Sequence, residues 1–266
     1  MRYVIILTFS MACLSTCFAE PLSTNSSAPA AEKVFMARMN KLWKDFNSDS
    51  STNSEKTFFD GGRALQADYP NEINGYQIMM SAIVHCTNQA QARRWVTELI
   101  DSPAPENFKL RYKGVLYRLD SQGKPVAIRF TAVDGREVDL SKLRGKVVLV
   151  DFWATWCGPC VAELPRVKAA YERFHNQGFE VIGISCDTDK KKLEDYVQQH
   201  GISWPQYFDG NEQGENKFTV TFGINGIPHM FILDKKGCLR FDDNDMRTKG
   251  AKADFEDKIK SLLAEQ

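Results

Sequence analysis

Val147-Val148-Leu149-Val150-Asp151-Phe152-Trp153-Ala154-Thr155-Trp156-Cys157-Gly158-Pro159-Cys160 is an apolar run, a tight break and two cysteines separated by two residues. Residues 147–152 are β-formers with one carboxylate among them, the composition of a strand buried on both faces. Gly158 and Pro159 stop the strand. Pro159 fixes φ for a first helical turn and the residues after it run at helical period, so Cys157 falls at a helix N-terminus. A thiol there meets unpaired backbone N–H groups and the positive end of the helix dipole, both of which favour thiolate, the reactive form of cysteine. Cys157 is therefore the expected attacking sulfur, taken as the more exposed of the pair, and Cys160, inside the first turn, resolves the mixed disulfide. Asp151 lies on the strand floor beneath them, where a buried carboxylate with raised pKa can accept the proton of Cys160. A charge that merely tolerates burial is the alternative.

The motif Phe152-Trp153-Ala154-Thr155-Trp156-Cys157-Gly158-Pro159-Cys160 resembles the active site of the thioredoxin superfamily. Its continuation Val161-Ala162-Glu163-Leu164-Pro165 gives CxxCxxExP, which is similar to the extracytoplasmic TlpA/ResA-like thiol:disulfide oxidoreductases more than to cytoplasmic thioredoxin. One position departs: that group often has Asn six residues before the first cysteine, whereas Asp151 matches thioredoxin itself. The resemblance starts near residue 130 and implies an α/β thioredoxin-like fold, a mixed central sheet flanked by helices with an N-terminal β-hairpin. It also implies that Glu163 serves substrate recognition and proton handling, although an exposed helix Glu needs no such role. Ile227-Pro228 matches the cis-proline loop that faces the CxxC, where backbone can pair with an extended substrate segment. Trp156, Gly158 and Pro159 join Ile227 and Pro228 as expected substrate contacts. Gly-Pro between the cysteines matches thioredoxin, whose pair is reducing at about −270 mV. Reduction of protein disulfides is the expected direction, with an upstream electron donor, a redox-active Cys157-Cys160 disulfide and no other cofactor or metal. Apocytochrome c cysteines, as in cytochrome c maturation, copper-site cysteines and misoxidised exported proteins are the substrates it suggests.

Composition narrows the alternatives. At 266 residues the chain can hold two modest cores. Lys+Arg and Asp+Glu balance at 34 each, so no basic field or tract favours nucleic acid. Seven cysteines are too few and too irregular for a disulfide scaffold. A second CxxC, normal for a four-thiolate zinc site, is absent. Peroxide reduction fares poorly, because the peroxidase pattern of Pro and Thr before a lone cysteine is missing ahead of Cys157.

Arg2, an apolar run to Phe18 and the small residues at Cys17 and Ala19 read as a signal peptide over 1–19, cut before Glu20. The run is shorter than the ~20 residues of a spanning helix. The mature chain is thus expected to be exported, periplasmic or otherwise extracytoplasmic, and soluble. Leu14-Ser15-Thr16-Cys17 resembles a lipoprotein box that would anchor the chain by a lipid on Cys17, but Thr16 fits it poorly, so anchoring ranks below cleavage. Residues 20–31 are polar and Pro-containing, a flexible linker.

Residues 32–120 carry apolar stripes at spacings of three and four, among them Phe35, Met39, Leu42 and Phe46, then Ile73, Tyr76, Met79, Met80 and Ile83. Four or five short helices are expected, a small all-α domain of unassigned role, with Gly61-Gly62 interrupting its second segment. It shows no repeat at the ~34-residue period of tetratricopeptide arrays. His85, Cys86, Met79 and Met80 invite a metal or haem reading, but core packing explains them with fewer demands. An interaction protein whose helices bind a partner, with the CxxC as a redox sensor, is the alternative function. Residues 121–124 read as an interdomain linker and 125–266 as the thioredoxin-like domain. Within the latter, 126–133 and 136–140 form a hairpin around Asp134-Gly135. A helix over 160–176, strands at 179–185 and 206–209, a helix through Phe222, strands at 229–233 and 238–241 and a closing helix follow. Asp187 or Thr188 is expected to cap a charged helix through His200. Cys86, Cys186 and Cys238 are expected to be buried thiols, the last two at opposite ends of the sheet.

Overall fold

The computed structural model of the chain describes residues 30–48, 53–210, 216–242 and 254–265. The leader at 1–19, Cys17 and most of the linker at 20–31 lie outside the described residues. Two compact units result, one up to Leu119 and one from Asp120.

The first unit is five helices: α1 (Ala30–Ser48), α2 (Ser54–Asp68), α3 (Asn74–His85), α4 (Gln89–Asp101) and α5 (Glu106–Asp120). Their apolar stripes converge on a core containing Phe35, Phe59, Leu65, Ile78, Trp95 and Tyr112. Phe46 stacks on Phe58 at 4.3 Å and Phe59 on Trp95 at 4.5 Å. Gly61 and Gly62 do not interrupt α2, contrary to the sequence expectation. They are contact points, because a Cβ on Gly62 would stand 2.8 Å from Ile78 Cγ2, and one on Gly61 would run into Leu42. The cost of glycine within a helix is offset by the close approach of α1 and α3. His85 Nδ1 lies 2.8 Å from the Ser81 carbonyl with its ring against Phe46, and the Cys86 thiol donates to the Asn88 carbonyl. Among the described residues no three His, Cys, Asp or Glu side chains cluster as metal ligands would.

The second unit has an antiparallel hairpin, β1 (Arg129–Thr131) with β2 (Glu137–Asp139), followed by a five-stranded sheet. β3 (Val147–Trp153) pairs in parallel with β4 (Phe179–Ser185) across the helix α6 (Gly158–Phe174), and β4 pairs in parallel with β5 (Gln206–Tyr207). α7 (Lys190–Gln199) lies between β4 and β5 in sequence, and α8 (Lys217–Thr221) follows β5. β6 (His229–Leu233) runs antiparallel to β3, and β7 (Leu239–Phe241) antiparallel to β6; α9 (Asp254–Ala264) closes the unit. The order β5-β4-β3-β6-β7 puts β3 at the centre with all seven residues buried. This is the α/β thioredoxin-like fold, a mixed sheet flanked by helices and preceded by a hairpin.

Two expectations are corrected. Residues 121–124 are not a loose linker: Gly123 N–H donates to the Leu239 carbonyl, Leu239 N–H to that of Lys124, and Val126 N–H to that of Gly237. The stretch covers the edge of β7, occupying backbone groups that would otherwise be left unpaired. The charged helix α7 is capped by Asp189, which accepts from Lys192 N–H at 3.1 Å, and not by Asp187 or Thr188.

Gly75 tests the packing of the helical unit, since an added Cβ would stand 2.7 Å from the Gly62 carbonyl oxygen and 2.6 Å from Gln66 Cβ. Ala gains up to about 1 kcal/mol in helix propensity, while forcing two backbones apart costs about 1–3 kcal/mol. Gly75→Ala is therefore expected to lower stability by about 1–2 kcal/mol, seen as an earlier denaturant transition in far-ultraviolet circular dichroism. An unchanged or later transition would contradict this packing.

Candidate active site

β3 leaves the sheet at Trp153, turns through residues 154–156 and enters α6 with Cys157 as its N-cap. Cys160 N–H donates to Cys157 Sγ at 3.2 Å, and Val161 N–H to the Cys157 carbonyl at 3.0 Å. The sulfur thus takes the place that a Ser or Asp oxygen occupies at an ordinary helix start. Cys157 and Cys160 form a disulfide, with Cα atoms 5.2 Å apart. The expectation that Cys157 is the more exposed cysteine fails for this oxidised pair: it is 1% accessible and Cys160 5%. Both belong to the core cluster of the sheet unit, and the disulfide draws Cys157 onto the helix. Gly158 is exposed and Pro159 half-buried, while Trp156, beside Cys157, is 55% accessible and is the large apolar side chain of the loop that faces solvent.

The strand register gathers the other candidates at the same end of the sheet. Phe152 pairs with His229 in the antiparallel β3–β6 ladder. Pro228, which precedes β6, therefore lies beside the end of β3. The Ile227-Pro228 peptide bond is cis, with Ile227 buried and Pro228 half-buried. Asp151 is two residues before the end of β3, buried, opposite Gly183 on β4 and Met230 on β6. Glu163 lies one turn into α6 beyond Cys160. It is partly buried rather than exposed, with a carboxylate oxygen 3.8 Å from Arg166, whose guanidinium stacks over the Phe255 ring at 4.5 Å.

Three features escaped sequence reading. Gln206 lies flat over Gly183, where an added Cβ would stand 2.0 Å from its Oε1. Its Oε1 accepts from Trp153 Nε1–H at 2.9 Å and its Nε2–H donates to the Trp204 carbonyl at 3.2 Å. Asp151, Trp153, Gly183 and Gln206 share one face, because residues paired across a sheet and residues two apart in a strand point the same way. His229, next to the cis proline, has Nε2 2.8 Å from Asp242 Oδ1 and its ring edge-on to Phe152. Asp187 turns back to the loop before Cys157, with Thr155 as its partner. A glycine in a buried strand was the available signal for Gln206, since such a glycine often marks a close approach.

The remaining thiols differ from the pair. Burial pushes Cys86 and Cys238 up from the ordinary thiol range, which leaves less thiolate at neutral pH. Cys186 follows β4 at the active-site end and Cys238 precedes β7 at the other; both are free and buried.

Comparison with known proteins returns the same chemistry. A family model described as Redoxin matches residues 107–259. The thiol-disulfide oxidoreductase ResA of Bacillus thuringiensis is 32% identical over 107 residues, 40% of this chain and 60% of the relative. The ResA of Geobacillus kaustophilus is 33% identical over 107 residues, with 40% and 59% covered. The chain thus spans about 60% of the length of the curated relatives it matches. A crystal structure of a thiol:disulfide interchange protein of the thioredoxin family from Chlorobium tepidum is 27% identical and aligns with 52% of this chain and 94% of its own, at a TM-score of 0.45.

The contact between Gly183 and Gln206 gives a direct test. Gly183→Ala is expected to drive Gln206 off the Trp153 indole, leaving a buried donor unpaired in an overfilled site, at a cost of about 2–4 kcal/mol. Denaturant unfolding followed by tryptophan fluorescence measures the cost. A variant as stable as the parent would show that Gln206 does not depend on the missing side chain.

Proposed function

Because the chain belongs to the Redoxin family, we propose that it is a thiol:disulfide oxidoreductase that exchanges electrons with protein substrates through Cys157 and Cys160. The observation that carries this is the Cys157 sulfur held as the N-cap of α6, with Cys160 N–H directed at it and the Cys160 sulfur in bonding reach. In the reducing direction the Cys157 thiolate attacks a substrate disulfide, forming a mixed disulfide and releasing one substrate thiolate, which takes up a proton. Cys160 then loses its proton and attacks Cys157 Sγ. The second substrate sulfur leaves, the Cys157–Cys160 bond forms, and two electrons have passed to the substrate. An upstream donor restores the dithiol. Gly158 and Pro159 support reduction as the net direction by their likeness to thioredoxin.

Asp151 is the proposed proton acceptor for Cys160, since a carboxyl held away from water gains proton affinity and lies on the strand that leads to the pair. Glu163, partly buried near Cys160, is proposed to tune partner choice and proton handling. Trp156, Gly158 and Pro159 supply the exposed side of the substrate contact, and the backbone at Ile227-Pro228 the other, as a short edge for an extended segment.

Export by the leader at 1–19 completes the proposal, supported by the small residues before Glu20. No helix among the described residues is long and apolar enough to cross a membrane. N-terminal sequencing of the mature chain should return Glu20. A lipid-modified Cys17 or a retained Met1 would replace export as a free protein with anchoring.

Cys160→Ser should accumulate mixed disulfides with its substrates, while Cys157→Ser should trap none and lose at least a thousandfold in exchange rate. Identifying the trapped proteins decides among apocytochrome c, copper-site and misoxidised substrates. Equal trapping by both variants would reverse the roles of the cysteines. Asp151→Asn should slow resolution of the mixed disulfide by tenfold or more and spare the first attack. It should also gain about 1–3 kcal/mol in stability as the desolvation cost disappears. Stopped-flow exchange with a model disulfide, beside denaturant melts, separates these effects. Resolution at the parental rate together with lower stability would make Asp151 structural.

A further inference from the structure

Asp187 stands two residues past the end of β4 and is 5% accessible. Both of its carboxylate oxygens accept from Thr155 N–H, at 3.2 and 3.1 Å; Oδ1 also accepts from the Thr155 hydroxyl at 2.6 Å and Oδ2 from the Ser185 hydroxyl at 2.8 Å. Asp187 N–H returns a hydrogen bond to Ser185 Oγ at 3.0 Å. A buried carboxylate can only accept, and these donors answer both of its oxygens. The clamp continues the β3–β4 ladder beyond its last pair, since Trp153 pairs with Ser185 and Cys186 N–H donates to the Trp153 carbonyl at 2.8 Å.

What the clamp holds is the loop that presents the reactive sulfur. Thr155 sits between Ala154, whose carbonyl accepts from Cys157 N–H at 3.1 Å, and the exposed Trp156. Of the loop residues 154–156, Thr155 is tied by its side chain to a neighbouring strand, through Asp187. Cys157 gains from the start of α6 only while its sulfur stays near Cys160 N–H, because the effect of a helix end falls away within its first turn.

We propose that Asp187 is a positioning residue for thiol–disulfide exchange: through Thr155 it fixes the loop at 154–157 so that Cys157 Sγ remains seated on the N-terminus of α6. It rests on Cys157 being the nucleophile. The carboxylate's own negative charge opposes a nearby thiolate, so removing Asp187 would mix two effects of opposite sign. Cutting the clamp at Thr155 leaves the charge in place and isolates the positioning effect.

The experiment uses the full chain carrying Cys160→Ser, with thiolate absorbance against pH and the rate of alkylation by iodoacetamide. Thr155→Val removes one clamp donor at nearly constant volume. It should raise the titration midpoint of Cys157 by about half a unit or more and slow alkylation at neutral pH about threefold. Thr155→Ser, which restores a hydroxyl, should return both to the parental values. Ser185→Ala, which cuts the clamp from β4, should move them in the same direction as Thr155→Val, and serves alone if that variant does not fold. A lower denaturation midpoint with an unchanged titration and alkylation rate would overturn the proposal, leaving Asp187 a purely structural group. A parent protein that itself titrates near the ~8.5 of a free thiol would overturn the assignment of Cys157 as nucleophile, and the clamp's role with it.

Discussion

A strand buried on both faces that runs straight into the start of a helix is the constraint on which the site depends. β3 has neighbours on both edges and a layer on both faces, so its last residue cannot shift without breaking the ladders to β4 and β6. The helix that follows begins with backbone N–H groups lacking intrahelical partners. Cys157 lies where the two meet, and its sulfur takes one of those donors. A reactive thiol therefore inherits both the rigidity of a sheet centre and the electrostatics of a helix end. Neither a strand nor a helix alone provides the two together.

The same geometry explains where polar groups are buried. The lower halves of β3 and β4, residues 147–150 and 179–182, are apolar apart from Glu180, which is only partly buried and pairs with Lys146. Asp151, Asp187, Gln206 and His229 all cluster toward the opposite end, where the parallel strands finish and a crevice opens beyond their carboxyl ends. Each buried polar side chain costs stability unless it is partnered. Gln206 is answered by Trp153 and Trp204, His229 by Asp242, and Asp187 by Thr155 and Ser185. Fixed dipoles and charges in this end of the sheet can act on sulfur and proton transfer without reorganising first.

Thiol chemistry is correspondingly selective within one chain. Cys86 and Cys238 are held in surroundings that disfavour their charged form, and neither occupies a helix N-cap. The helical unit has a separate core, set by aromatic stacks and by glycines that let α2 and α3 approach closely. It adds no member to the constellation around Cys157.

Much of this was legible in the sequence because it depends on near neighbours. The apolar run of β3, the Gly-Pro break, the cysteine spacing and the alternation of strand and helix signals gave the order of elements, and the motif pointed to Cys157, Cys160, Asp151 and Pro228. What the sequence concealed was decided by residues far apart along the chain. Gly61 and Gly62 read as breakers until α1 and α3 were packed against them. Residues 121–124 read as a linker until β7 supplied their hydrogen-bond partners. Asp187 read as a helix cap, because an acidic residue before a charged helix has that local meaning, yet its partner Thr155 lies across the β3–β4 pair. The burial of Cys157 is likewise a property of the closed disulfide on its helix. Local composition determines which segments form strands and helices; only packing determines which buried polar groups meet, because each must find a partner wherever the fold brings one.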